Sequence, residues 1–137
     1  MKILLAVDGS EHCLAAVDSL IGHADWFREK PRVELVTVHL PVPAVGASKV
    51  QAQKYYQEEG EASLAAAKKK LDAAKVPYQA HILVGPIAET LAKHAKDARC
   101  DLIYIGTRGM TAAANALLGS TATKVLHISP VPVLLVK

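Results

Sequence analysis

The 137 residues, 51% of them apolar, are enough for one domain whose core covers both faces of a sheet, and too few for a second domain. A balance of 16 basic and 13 acidic residues leaves +3, and the basic ones are scattered except for Lys68-Lys69-Lys70, where a solvated helix face is expected rather than a nucleic-acid surface. Two distant cysteines, Cys13 and Cys100, exclude a disulfide framework, and no apolar stretch approaches membrane-spanning length, so a cytoplasmic protein is expected.

The first apolar run, Lys2 to Val7, is continuous rather than alternating, as in a strand buried on both faces. Ser10 then caps a helix from about Glu11 that places Leu14, Val17, Ile21 and Ala24 on one face. A second strand, Val33 to Leu40, ends in PVPAVGAS, a loop by its prolines and glycine. A long helix spans about Lys49 to Lys75, with Leu64, Ala67, Leu71 and Ala74 inward and Gly60 as its weak point. Tyr78 to Val84 reads as a third strand, and Gly85-Pro86 opens a helix with Ile87, Leu91, Ala95 and Ala98 inward. A fourth strand, Asp101 to Ile105, runs into GTRGMTAAANALLGST, which leads to a helix from about Ser120 to Ile128 and a last strand, Val131 to Val136. Five strands separated by helices predict a doubly wound, Rossmann-like α/β domain over residues 1–137, with a parallel sheet and helices on both faces. In such sheets a ligand crevice lies at the carboxyl ends of strands flanking a switch point.

Two strand-end segments are unlike mere connections: VDGS after the first strand and GTRG after the fourth. Gly106, Gly109, Gly119 and Ser120 form the pattern Gly-x2-Gly-x9-Gly-Ser, in which amides bared by glycine favour an anion. Ser120 and Thr121 add hydroxyls at a helix start, where unpaired amides favour phosphate. Asp8 suits ribose hydroxyls, although holding the turn toward Ser10 is an equally good role for it. Arg108, inside the glycine loop, is a candidate to approach a polyphosphate, the alternative being an exposed arginine with no such role. Neither the P-loop pattern nor Gly-x-Gly-x2-Gly is present, and the six histidines are dispersed, so neither a metal pair at helical spacing nor a Ser-His-Asp arrangement is expected.

AVDGSE, VTVHL, VGPIAETLAKHA, CDLIYIGTRG and LLGSTATKVLHISPVPVLLV together resemble the universal stress protein family along essentially the whole chain. The resemblance implies strand order 3-2-1-4-5 and the type of member that binds ATP, or ADP, with Mg²⁺. It implies further that Asp8 faces ribose, that Leu40 lies against adenine, and that Gly106, Arg108, Gly109, Gly119, Ser120 and Thr121 surround phosphates, with Gly85 bordering the pocket. MTAAANALL lacks the basic residues many relatives carry there, and Pro41 removes a backbone donor beside the adenine position. The function expected is a nucleotide-dependent switch or sensor that is not an enzyme and forms a homodimer through its C-terminal strand. The alternatives are a dimer acting by partner binding with little nucleotide affinity, and a slow ATPase. A phosphorelay receiver is set aside because its acidic pair and phosphoacceptor aspartate are missing.

Overall fold

The computed structural model describes residues 1–43, 48–108 and 118–137. In chain order it contains β1 (Lys2–Ala6), α1 (Glu11–Gly22), a 3₁₀ turn (Ala24–Trp26), β2 (Arg32–His39), α2 (Lys49–Ala73), β3 (Tyr78–Val84), α3 (Ile87–Asp97), β4 (Leu102–Gly106), α4 (Ser120–Ile128) and β5 (Val133–Val136). The five strands form one parallel sheet in the order β3-β2-β1-β4-β5, as expected. The reversal of order lies between β1 and β4, where the chain winds first one way and then the other.

Side-chain alternation along the central strands divides the core in two. Ile3, Leu5, Val33, Leu35 and Tyr104 point to one face and pack with Cys13, Ala16, Val17 and Leu20 of α1 and Leu64, Ala67 and Leu71 of α2. Leu4, Ala6, Val36, Val38, Ile103 and Ile105 point to the other, against Ala88, Leu91 and Ala95 of α3 and Val125 of α4. Truncating one of these fully buried leucines to alanine costs about 2–5 kcal/mol, a large share of a small domain's stability.

The structure moves several sequence-based boundaries. β5 begins at Val133, not Val131, because Pro132 has no amide to give to a ladder; its carbonyl still accepts from the Ile103 amide at 2.9 Å. Leu40 falls just past β2, and Pro86 occupies the N-cap of α3 rather than its first helical position. In α1 the fully buried residues are Cys13, Ala16, Val17 and Leu20, while Leu14 and Ile21 lie at the margin, so the inward face is rotated by about one residue. The α2 face is as predicted through Leu64, Ala67 and Leu71, with Ala74 half-buried.

Candidate functional site

The carboxyl end of β1 enters a tight turn. Gly9 has φ +84°, which glycine adopts without strain, and a Cβ there would sit 3.1 Å from the Ser63 Cα of α2. Within that turn Asp8 Oδ1 accepts from the Ser10 amide at 2.9 Å, and Ser10 Oγ accepts from the Cys13 amide at 3.2 Å to cap α1. Asp8 thus fills the local role open to it, holding the turn, at a half-buried position at the end of the central strand.

β4 ends beside this turn. A Cβ on Gly106 would lie 3.4 Å from the His12 carbonyl and 3.7 Å from the Cys13 Cα, which places the end of β4 against the first turn of α1. Thr107 continues from there, buried, its amide bound to the Val136 carbonyl at 2.9 Å. The Thr107 carbonyl in turn accepts from the Gly119 amide at 2.5 Å. One hydrogen bond therefore brings residue 119 back to the end of β4 and starts α4 there. Gly119 is the N-cap of α4 and has no side chain to cap it; the first helical bond is Thr123 N–H to Gly119 O at 3.0 Å. The amides of the first turn of α4, the half-buried Thr121 hydroxyl and the exposed Ser120 hydroxyl are left at the carboxyl end of the sheet.

The structure thus gathers Asp8, Gly106, Gly119, Ser120 and Thr121 around the β1/β4 switch point, with Arg108 exposed two residues beyond Gly106. Gly109 lies outside the described residues. Leu40, exposed, follows the end of the neighbouring β2, and Gly85 is tied to that end by its amide, 2.9 Å from the His39 carbonyl. Gly85 has φ +155°, and a Cβ there would meet Thr90 Oγ1 at 2.6 Å, so it is required by the turn into α3.

Sequence reasoning missed two groups here. Thr37 Oγ1 and His39 Nε2 are buried near the carboxyl end of β2 and find no hydrogen-bond partner among the described residues. Buried polar atoms cost about 1–3 kcal/mol when unpaired, so their position next to the β1 turn is that of groups able to meet a polar ligand. The only sequence signal was their placement at a strand end beside the switch point.

Spacing along the chain gives no metal pair among the histidines, but the fold brings two of them together. His81 of β3 and His94 of α3 converge on one carboxylate oxygen of Glu34 in β2, three elements that only the folded sheet brings together.

The cysteines are buried as expected, and burial raises both thiols above their ordinary range; for Cys100, with the Glu34 carboxylate adding to the effect, the value is pushed to about 11. No described helix is long and apolar enough to cross a membrane.

Comparison with known proteins adds a family. The model of the universal stress protein family matches residues 1–137. A universal stress protein encoded in the QAH/OAS sulfhydrylase 3' region of Thermus aquaticus is 34% identical over 140 residues, covering 98% of this chain and 97% of its own. Among solved structures, hypothetical protein MJ0577 superposes with a TM-score of 0.86 at 28% identity, over 99% of this chain and 94% of that one. A universal stress protein in complex with cAMP superposes with a TM-score of 0.71 at 26% identity, over 100% of this chain and 97% of that one.

Proposed function

The chain belongs to the universal stress protein family, and we propose that it binds an adenine nucleotide, ATP or ADP with Mg²⁺, at the carboxyl ends of β1 and β4 and works as a nucleotide-dependent switch. The observation that carries this reading is the Gly119 to Thr107 hydrogen bond, which sets the uncapped start of α4 beside the β1 turn. A helix start with free amides and a positive dipole end is suited to phosphate. Asp8 takes the ribose, Leu40 covers the base, and Gly106, Arg108, Gly109, Gly119, Ser120 and Thr121 take the phosphates. The residues present fit such a group: Thr37 Oγ1 and His39 Nε2, without a hydrogen-bond partner among the described residues, supply polar atoms near the β2 end, and glycine at 119 keeps a side chain off the α4 amides. The relative solved with cAMP supports an adenine nucleotide as the class of ligand.

The role proposed is binding rather than turnover. Fast phosphoryl transfer needs a group to orient water and cations to take up developing charge, and among the described residues of the site Arg108 is the one cation of the motif. Turnover below about 1 s⁻¹ is therefore expected. The switch is proposed to act in a cytoplasmic homodimer joined through β5.

Calorimetric titration with Mg·ATP, ADP, AMP and cAMP tests the reading. Gly119→Val is expected to abolish binding by placing a branched side chain over the α4 amides, and Asp8→Ala to weaken it by about 1–2 kcal/mol, one charge-assisted hydrogen bond. Binding of all four nucleotides to Gly119→Val as tightly as to the parent would show that the glycine serves only the turn.

A further inference from the structure

Glu34 is an unusual residue for its place. It sits in β2 between Val33 and Leu35 with a side chain only 8% exposed, and it projects to the α3 side of the sheet, toward neither the switch point nor the nucleotide residues. Its two oxygens have different surroundings. Oε1 is 3.8 Å from Lys2 Nζ, and that ammonium also donates to the Ala98 carbonyl at 2.9 Å. Oε2 is in contact with His81 Nε2 and lies 3.5 Å from His94 Nε2. The imidazole centroids are 4.5 Å apart, and the three ligand atoms all lie within 4.8 Å of one another.

We propose that Glu34, His81 and His94 form a binding site for a divalent transition metal of the zinc type, separate from the nucleotide site. Two imidazole nitrogens and one carboxylate oxygen converging on a point are the donor set that zinc takes at about 2.0–2.2 Å, and ligands at that range lie roughly 3.3 Å apart around a tetrahedral ion. The three atoms already lie within 4.8 Å of one another, close to that spacing. The ion separates the Glu34 and His81 atoms now in contact and adds positive charge at Oε2 of the buried carboxylate, whose Oε1 faces Lys2 Nζ. Lys2 stays on the far oxygen and orients the carboxylate, the usual work of an outer partner at a metal centre. The histidines are partly open, 29% and 17% exposed, which leaves an entry path and a side on which water completes the coordination. The three ligands come from β2, β3 and α3, so the ion ties the outer strand and its helix to the sheet.

The test uses the full chain, stripped with EDTA and free of nucleotide. Zn²⁺ titrated in competition with a chromophoric chelator is expected to bind one ion per chain, and Co²⁺ to give the visible absorption of a tetrahedral site. His94→Ala and His81→Ala are each expected to weaken Zn²⁺ binding by at least about 100-fold, the upper end of the loss caused by removing even an outer partner. His94→Cys, which restores a zinc donor, keeps stoichiometric binding, and His127→Ala, at an exposed position of α4, leaves it unchanged. Because metal ligands must shed their protons, affinity falls toward acid pH. The absence of stoichiometric binding, or equal affinity in the parent and a His94→Ala variant whose circular dichroism is native, overturns the site. Neither result bears on nucleotide binding, which is measured without zinc.

Discussion

Gly60 shows how one residue reads differently in the sequence and in the fold. In the sequence it is a poor helix former in the middle of α2. In the structure it is buried, and a Cβ there would fall on the Ile82 side chain of β3. Alanine would gain about 1 kcal/mol of helix propensity, and overpacking against a β-branched neighbour would cost about 1–3 kcal/mol, so packing prevails. Gly60→Ala is expected to lower stability in urea by on the order of 1 kcal/mol, and Gly60→Ala with Ile82→Ala to lose less than the sum of the two single changes. Cys100 carries a second consequence at this scale. Its thiol ionises near 9.0 when the chain is unfolded and near 11 when folded, so between these values the unfolded state holds fewer protons. The stability owed to the folded thiol is complete below pH 9 and is lost as pH rises toward 11. Urea unfolding at about pH 8 and about pH 10.5 should therefore show a smaller loss for Cys100→Ala than for the parent.

The ends of α2 and α3 share a device that composition conceals. Lys75 and Arg99 both have φ +56°, the left-handed conformation that costs a side chain about 1–2 kcal/mol. Each follows the C-cap and closes the helix with paired bonds: Val76 N–H to Leu71 O at 3.0 Å and Lys75 N–H to Asp72 O at 3.0 Å, then Cys100 N–H to Ala95 O at 2.8 Å and Arg99 N–H to Lys96 O at 3.1 Å. The next residue, Val76 or Cys100, is buried, as in the hydrophobic contact that accompanies this motif. Both turns thus carry strain that glycine would relieve, less the entropy glycine loses on folding. Lys75→Gly and Arg99→Gly are each expected to raise stability by about 0.5–1 kcal/mol, additively because they cap different helices, and thermal unfolding would show it. A fall in Tm for either would mean that the lost side chain outweighs the relieved strain.

At the scale of the molecule the open question is the β5 edge. Val133 to Val136 are half-buried and apolar, and no described strand pairs with the outer side of β5. The carbonyls of Pro132 and Val136 face β4, accepting from Ile103 and Thr107, so by the alternation of a strand the amides of Val133 and Leu135 face outward. An apolar edge with outward amides invites pairing with another chain, and a second copy related by a two-fold axis closes it without leaving a new edge. A homodimer is therefore expected in light scattering. Leu135→Pro removes an outward donor and spares the β4 ladder, so it should give a folded monomer, and Leu135→Lys should do the same by charge. A parent chain that stays monomeric at high micromolar concentration would rule the β5 pairing out.

Much of this fold was written locally. Continuous apolar runs mark strands buried on both faces, and the α2 stripe of Leu64, Ala67 and Leu71 follows from the 3.6-residue period, because both signals depend on neighbours within a few residues. The glycine pattern and Asp8 were legible for the same reason, since amides bared by glycine and a carboxylate at a strand end are properties of short segments. Periodicity was less able to locate the inward face of α1, which two packed neighbours decide, or the start of β5, which Pro132 sets through a bond to β4. Only the tertiary structure could join Gly119 to Thr107, bury Thr37 Oγ1 and His39 Nε2 without a partner among the described residues, or set His81 and His94 on Glu34. Those pairings span 12 to 60 residues of chain or depend on which strands lie side by side, and strand order is a global solution to burying both faces of one sheet.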